Sequence, residues 1–307
     1  NRNTSENPGA LDQAPATATA VALLPFLGAG QSPRRGEFRR TVGNGLIFLR
    51  KRLAPVGADA ASLYEPQAGG LPSHAIGTCV LCEAVALTVD AQSQKAAQSA
   101  VNFLVEMQNT DGGWPVQPHL PNQPSEPSDL IATAWSLAAL RTAQWVNLRV
   151  PDAKVKLAAG YLDTLRAEDG SGFLRERRDA RPELTASAAG ALALLYLDGN
   201  RKPSELLPLV ARAAQRGPGT AGQFYQDLCM SQVMREIGGH PWSKYHRSLR
   251  DYLLETQATD GPEKGSWYVE SAAWGNRQGG RLFCTALAAL ALESYYRYPP
   301  FRSTSEE

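Results

Sequence analysis

The chain has 307 residues, of which 43% are apolar, and its charge is nearly balanced, with 31 Lys and Arg against 30 Asp and Glu. That length admits one large domain or two ordinary ones, and the charge balance leaves no basic field to hold a phosphate backbone, which excludes nucleic acid as a partner. Four cysteines in a chain this long do not make a disulfide framework.

Residues 1–15 are polar and aperiodic and read as a loose arm; 16–298 read as one domain and 299–307 as a tail. The longest apolar stretch, residues 16–30, contains Pro25, Gly28 and Gly30 and is too short to span a bilayer, so no transmembrane segment is expected. The sequence has neither an initiator Met nor a cationic-then-apolar leader, and it reads as part of a longer polypeptide with a segment upstream. From residue 17 onward two kinds of helix alternate. Those at 17–27, 73–87, 129–142, 184–197, 224–237 and 282–296 are rich in Ala and Leu and poor in charge. Those at 37–52, 93–108, 152–166, 204–216 and 244–257 carry charges on one face. Apolar positions such as Ala100, Phe103, Leu104 and Met107 recur at three- and four-residue steps. A helix apolar nearly all round must be covered on every side, whereas an amphipathic one faces water. The alternation therefore predicts an all-α fold of helical hairpins, with six inner helices wrapped by five outer ones.

One phrase punctuates this pattern. Gln108-Asn109-Thr110-Asp111-Gly112-Gly113-Trp114 returns as Glu168-Asp169-Gly170-Ser171-Gly172-Phe173 and as Gln257-Ala258-Thr259-Asp260-Gly261, which reaches an aromatic at Trp267. Each copy follows an aromatic–Leu pair on the amphipathic helix: Phe103-Leu104, Tyr161-Leu162 and Tyr252-Leu253, with Phe48-Leu49 marking an earlier unit. The period of roughly 55 residues is that of a repeat array whose units bury their apolar faces on one another. Glycine in the left-handed region ends the helix, Asp111 bonds local backbone, and Trp114 is expected to be a buried structural anchor.

A Gln-x-x-Asp-Gly-Gly-Trp turn followed by an Ala-rich helix resembles the repeat of protein prenyltransferase β subunits and squalene–hopene cyclases. The likeness is closer still to prenyltransferase/squalene-oxidase-repeat proteins of planctomycete bacteria. It is carried by Asn7-Pro8-Gly9-Ala10-Leu11-Asp12, by 22–30, by Leu81-Cys82-Glu83-Ala84, by Gly265-Ser266-Trp267 and by 279–287. The resemblance implies an (α/α)6 toroid of the terpenoid cyclase and prenyltransferase type, with a central cavity for an apolar or isoprenoid-like ligand. It also implies that the N-termini of the inner helices open into one cavity mouth. The Asp-x-Asp-Asp acid of squalene cyclases is absent, because no two aspartates fall within one helical turn. Prenyltransferases hold zinc with Asp-x-Cys and a His. Asp227-Leu228-Cys229 matches the first element, and Cys284 stands where the His would be. Residues two apart on a helix point about 200° apart, which works against convergence of Asp227, Cys229 and Cys284, and no cofactor is expected.

Other groups carry weaker signals. Cys79-Val80-Leu81-Cys82 has metal spacing but lacks a second pair and reads as buried packing. At the expected cavity mouth stand His74, Asp129, Thr185, Tyr225, Asp227 and Arg281. Asp129 suits an N-cap, and His74 either a general acid–base role or a hydrogen bond to a nearby loop. Arg281, behind Gly279-Gly280, offers five donors for an anionic group, whereas His119, His240 and His246 read as surface residues. Glu65, Asp129, Glu183 and Asp227 also permit carbohydrate chemistry, since (α/α)6 lyases and glycosidases work with paired carboxylates. A third reading is a noncatalytic scaffold or interaction domain.

Overall fold

The computed structural model describes residues 9–88, 90–119, 125–219, 223–269 and 276–296. Among them eleven α-helices follow in chain order: α1 (Pro15–Gly28), α2 (Arg39–Arg52), α3 (Leu71–Thr88), α4 (Ala91–Glu106), α5 (Leu130–Trp145), α6 (Asp152–Leu165), α7 (Leu184–Leu197), α8 (Pro203–Arg216), α9 (Phe224–Ile237), α10 (Gly239–Thr256) and α11 (Asn276–Glu293). The odd-numbered helices form a closed inner ring, each packed on the next and α11 packed on α1. The even-numbered ones lie outside, with α4, α6 and α8 each bridging two inner neighbours.

The sequence dictates this division. In α7 every residue from Thr185 to Tyr196 is buried, and Ala, Gly and Ser leave room for neighbours on all sides. A Cβ on Gly190 would come within 2.6 Å of the Phe173 ring, so this inner helix takes glycine where an aromatic must lie flat on it. On α8, by contrast, only Leu206, Leu209, Val210 and Ala213 are buried, a single stripe at helical spacing. On α10 the stripe is Tyr245, Leu249 and Leu253. Aspartates start two helices: Asp90 accepts from the Ser93 N–H at 2.9 Å, and Asp129 from the Ala132 N–H at 2.9 Å. Strand is confined to short ribbons, β1 (Ala54–Val56) with β2 (Ala60–Ser62), and β3 (Trp114–Pro115) with β4 (Ser128–Asp129).

The recurrent turn follows α4, α6 and α10 and leads into the next inner helix. Gly112 adopts φ +93°, and Asp111 accepts from the Gly113 N–H at 3.0 Å and from the Ser128 hydroxyl at 2.7 Å. Trp114 is wholly buried. Its indole N–H donates to the Leu104 carbonyl on α4 at 2.7 Å, and its backbone N–H to the Thr133 hydroxyl on α5 at 3.0 Å. Trp267 repeats both bonds, to the Leu253 carbonyl at 2.7 Å and to Thr285 at 3.0 Å. Phe173 keeps only the backbone bond, to Ser187 at 3.0 Å.

Two expectations shift. Residues 9–14, read as the end of a loose arm, form a 3-10 turn (Gly9–Gln13) against α1 and α11, with Leu11 and Ala14 buried, because an apolar pair there covers the ring's seam. The 299–307 tail lies outside the described residues. Among the described residues α3 alone is long and apolar enough to cross a membrane, and it is an inner helix largely buried in the ring.

Candidate functional site

At the inner-helix N-termini the expected site residues are held by local packing and hydrogen bonds. His74 is wholly buried and faces outward from the ring axis: its Nδ1 accepts from the Leu63 N–H at 3.1 Å, its Nε2 bonds the Ala100 carbonyl of α4 at 3.0 Å, and Phe103 packs edge-on at 4.7 Å. Burial pushes its pKa down to about 4, so the ring is neutral near pH 7. Asp227 also faces outward, accepting from the Gly219 N–H at 3.0 Å and from the Tyr245 hydroxyl of α10 at 3.2 Å. Burial raises its pKa to about 7.

These two residues share a place in the repeat. Counting Leu71, Leu130, Leu184, Phe224 and Leu282 as first, the fourth residues of the inner helices are His74, Thr133, Ser187, Asp227 and Thr285. All five accept a backbone N–H from the segment leading into their own helix, namely from Leu63, Trp114, Phe173, Gly219 and Trp267. Their common role is to anchor that segment, which the chemical variety of the five side chains conceals in the sequence.

The other candidates are likewise engaged at this end. Asp129 is 3% exposed; besides capping α5 it accepts from the Arg175 guanidinium at 2.7 Å. Thr185 donates to Gln223 at 2.6 Å. Arg281 reaches sideways, to the Ser266 hydroxyl at 3.2 Å and over the Tyr268 ring at 5.4 Å. Of the six residues expected at one mouth, Tyr225 is the one that contacts a pocket-lining side chain, stacked on Trp135 at 5.3 Å and 24°. Glu65, one of the carboxylates considered for sugar chemistry, instead ties down the start of α1 through Thr17 at 2.9 Å and Ala16 at 3.2 Å. The zinc set is not assembled. Asp227 turns away to α10, burial pushes the Cys229 and Cys284 thiols up to about 12, and among the described residues no three His, Cys, Asp or Glu side chains converge as ion ligands.

A pocket lies instead at the opposite end, where the inner helices finish. All six contribute to it: Leu24, Cys79 and Glu83, Trp135 and Thr142, Tyr196, Gln232 and Glu236, and Leu290, with Ser294 just beyond α11. In the count above, Cys79, Ala138, Gln232 and Leu290 are ninth, and Glu83, Thr142, Tyr196, Glu236 and Ser294 thirteenth, so the wall is itself a repeat position. The cavity volume is about 70 Å³, room for roughly five to seven waters at about 10–15 Å³ each. The Tyr225–Trp135 stack stands on its inner side, towards the helix starts. The Trp135 indole N–H is buried without a protein partner, an unsatisfied donor on a side chain of the wall.

Charged groups interrupt a mostly apolar wall. Glu83 on α3 and Glu236 on α9 stand three places apart in a ring of six, on opposite sides of the axis, with Arg235 beside the second. Two carboxylates and a guanidinium on the wall give it a hydrogen-bonding capacity that an apolar, isoprenoid-like ligand does not use. The sequence does carry a signal for this wall: Glu83 and Glu236 share the thirteenth position of their helices, and Gln232 stands one turn before Glu236. The resemblance to prenyltransferases masks it by pointing to the opposite helix ends.

No family model matches the chain, and no curated protein matches it in sequence. Solved structures do. A cellobiose 2-epimerase from Bacillus thermoamylovorans superposes with a TM-score of 0.65 at 12% identity, over 91% of this chain and 87% of that one. A GH76 α-mannanase from Bacteroides thetaiotaomicron gives 0.64 at 12% identity, over 91% and 86%. An α-amylase from Clostridium perfringens gives 0.61 at 10% identity, over 91% and 85%. These neighbours overturn the squalene-cyclase and prenyltransferase resemblance. The phrase that carried it is a packing device, in which glycines and a buried aromatic join consecutive helices of the array, and it does not report on the ligand. At such identities the likeness establishes the fold: the chain is an all-α (α/α)6 toroid, similar in architecture to carbohydrate-active enzymes.

Proposed function

We propose that the chain is a carbohydrate-active toroid whose sugar ligand enters the axial pocket. The observation that carries this reading is the composition of that pocket: opposed carboxylates, a guanidinium, hydroxyl and amide groups, and the aromatic walls Trp135 and Tyr196, all at one end of the ring. Sugars need this mixture, with acceptors and donors for their hydroxyls and flat apolar surface for their C–H faces. The names of the solved neighbours, a mannanase, an epimerase of cellobiose and an amylase, support it.

The roles follow from position. Glu83 and Glu236 face each other across the axis, so one serves as proton donor to a departing or ring oxygen and the other as base or nucleophile. Which of the two takes which role is read from the pH dependence of the Glu83→Gln and Glu236→Gln variants.

Titration calorimetry with mannose, glucose, mannobiose and cellobiose, paired with NMR of the incubated sugars, tests the reading. Saturable binding to the wild type is expected. In Glu236→Gln and Glu83→Gln turnover should fall by about 10² or more, the scale of lost acid–base catalysis. Binding with no change in the sugar would identify a noncatalytic binding module, a reading favoured by the narrowness of the cavity. The absence of binding to any of the four sugars would overturn the proposal.

A further inference from the structure

The end of the ring that bears the axial pocket also bears a short row of aromatic rings. Trp242 and His246 stand one turn apart on α10, with ring centroids 4.8 Å apart. Tyr295, just past the end of α11, lies 5.3 Å from His246 at an interplanar angle of 32°. The chain links the row to the pocket at both flanks: Tyr295 follows pocket-lining Ser294, and Trp242 comes six residues after pocket-lining Glu236.

Within the row Trp242 and His246 are half-buried and Tyr295 is exposed, unlike the aromatics that anchor the core. Trp114, Tyr161, Phe173 and Phe224 are at most 1% exposed, whereas Tyr295 is 65% exposed. A stack that served only to hold α10 to α11 would gain by covering its rings. Burial and the nearby Arg250 lower the His246 pKa, so a neutral imidazole completes a flat, uncharged surface at neutral pH. Exposed Lys244, Arg247 and Arg250 follow along the same helix, so the apolar surface is only a few rings wide, far below the roughly 800 Å² per partner of a stable protein interface. A surface of this width and chemistry matches one face of a pyranose ring.

We infer that Trp242, His246 and Tyr295 form an outer sugar subsite, which stacks a further unit of an oligosaccharide whose end unit occupies the axial pocket. The inference rests on the carbohydrate reading and adds that the ligand is longer than the pocket. The expected gain from one stacked ring is about tenfold in affinity, the upper end for aromatic pairs.

Calorimetry with mannose against mannotriose, and glucose against cellotriose, tests it on the wild type, Tyr295→Ala, Tyr295→Phe and Trp242→Ala. At least one trisaccharide should bind about tenfold more tightly than its monosaccharide. Tyr295→Ala should remove most of that gain while leaving monosaccharide affinity unchanged, and Tyr295→Phe should retain it. Because Tyr295 is exposed, its variants should melt as the wild type does, so the result stands even if Trp242→Ala fails to fold. Equal affinity for mono- and trisaccharides, or a gain indifferent to Tyr295→Ala, overturns the outer subsite and leaves the pocket reading intact. Loss of monosaccharide and trisaccharide binding alike in Tyr295→Ala would also overturn it, since the rim would then be acting through the pocket. Failure of every sugar to bind the wild type removes both proposals.

Discussion

Asp227 and His74 hold opposite ends of the acid–base scale in equivalent places. Asp227 titrates at about 7 in the fold against roughly 3.9 in an unfolded chain, so the folded state binds the extra proton between those values. Stability from this group therefore falls as pH rises from about 4 to about 7. His74 titrates at about 4 in the fold against roughly 6.5 unfolded, so there the unfolded state binds the extra proton. Its effect has the other sign: stability rises as pH climbs from about 4 to about 6.5. The two slopes oppose each other across the shared window and leave the wild type nearly flat there. Asp227→Asn, whose amide can still accept from Gly219 and donate to Tyr245, should uncover the rise due to His74 and abolish the decline above pH 6.5. Denaturant midpoints from pH 4 to 8 measure this. The expected amplitude is a few kcal/mol, since each tenfold change in proton affinity on folding is worth about 1.4 kcal/mol. A flat profile in the variant would contradict the assignment. The sequence marked both residues correctly as titratable groups at inner-helix starts. What it could not show is that the fourth residue in five of the six inner helices turns outward to anchor the preceding segment, because the partner is a backbone N–H and any acceptor will serve.

Among the elements, the turn from α4 into α5 bears most directly on stability. Trp114→Ala should cost about 3–5 kcal/mol, combining a large cavity with the loss of the indole bond to Leu104. Urea unfolding reads this directly, and an unchanged midpoint would remove Trp114 as an anchor. Gly112→Ala should destabilise for a different reason: φ is +93°, and the added Cβ would sit within 2.1 Å of the Leu157 carbonyl oxygen on α6. The expected loss exceeds about 1 kcal/mol, since strain and overlap act together. Gly170, also at positive φ (+69°) but with nothing near its missing side chain, provides the comparison, and Gly170→Ala should lose less. Helices were legible in the sequence to within a few residues because hydrophobic period and breaker residues are local signals; α7 and α9 match their expected bounds at both ends. Which face of an inner helix meets the axis was not legible, since a helix apolar all round has no moment to orient it. The pocket register emerges only when the thirteenth-position polar residues Glu83, Thr142 and Glu236 are superposed on one another.

At the scale of the whole molecule the ring separates two layers with different protection. Inner helices are covered on both flanks and by the outer layer, whereas outer helices leave a polar face in water. Hydrogen exchange should therefore find the amides of α5 and α7 opening only with global unfolding, and those of α2 and α8 opening locally at lower free energy. Uniform protection across both layers would show that the outer helices do not move independently. The opposition of α3 and α9 has a mechanical corollary. Glu83 and Glu236 sit near the finishing ends of helices on one diameter of the ring, so the gap between their carboxylates follows the width of the ring itself. The toroid works as a caliper: a slight ovalisation that lengthens this diameter spreads the jaws, and one that shortens it closes them. Small buried residues of the inner helices, such as Ala139 on α5 and Gly190 on α7 beneath the Phe173 ring, govern how closely the ring packs, and enlarging one of them should widen the gap from far outside the pocket.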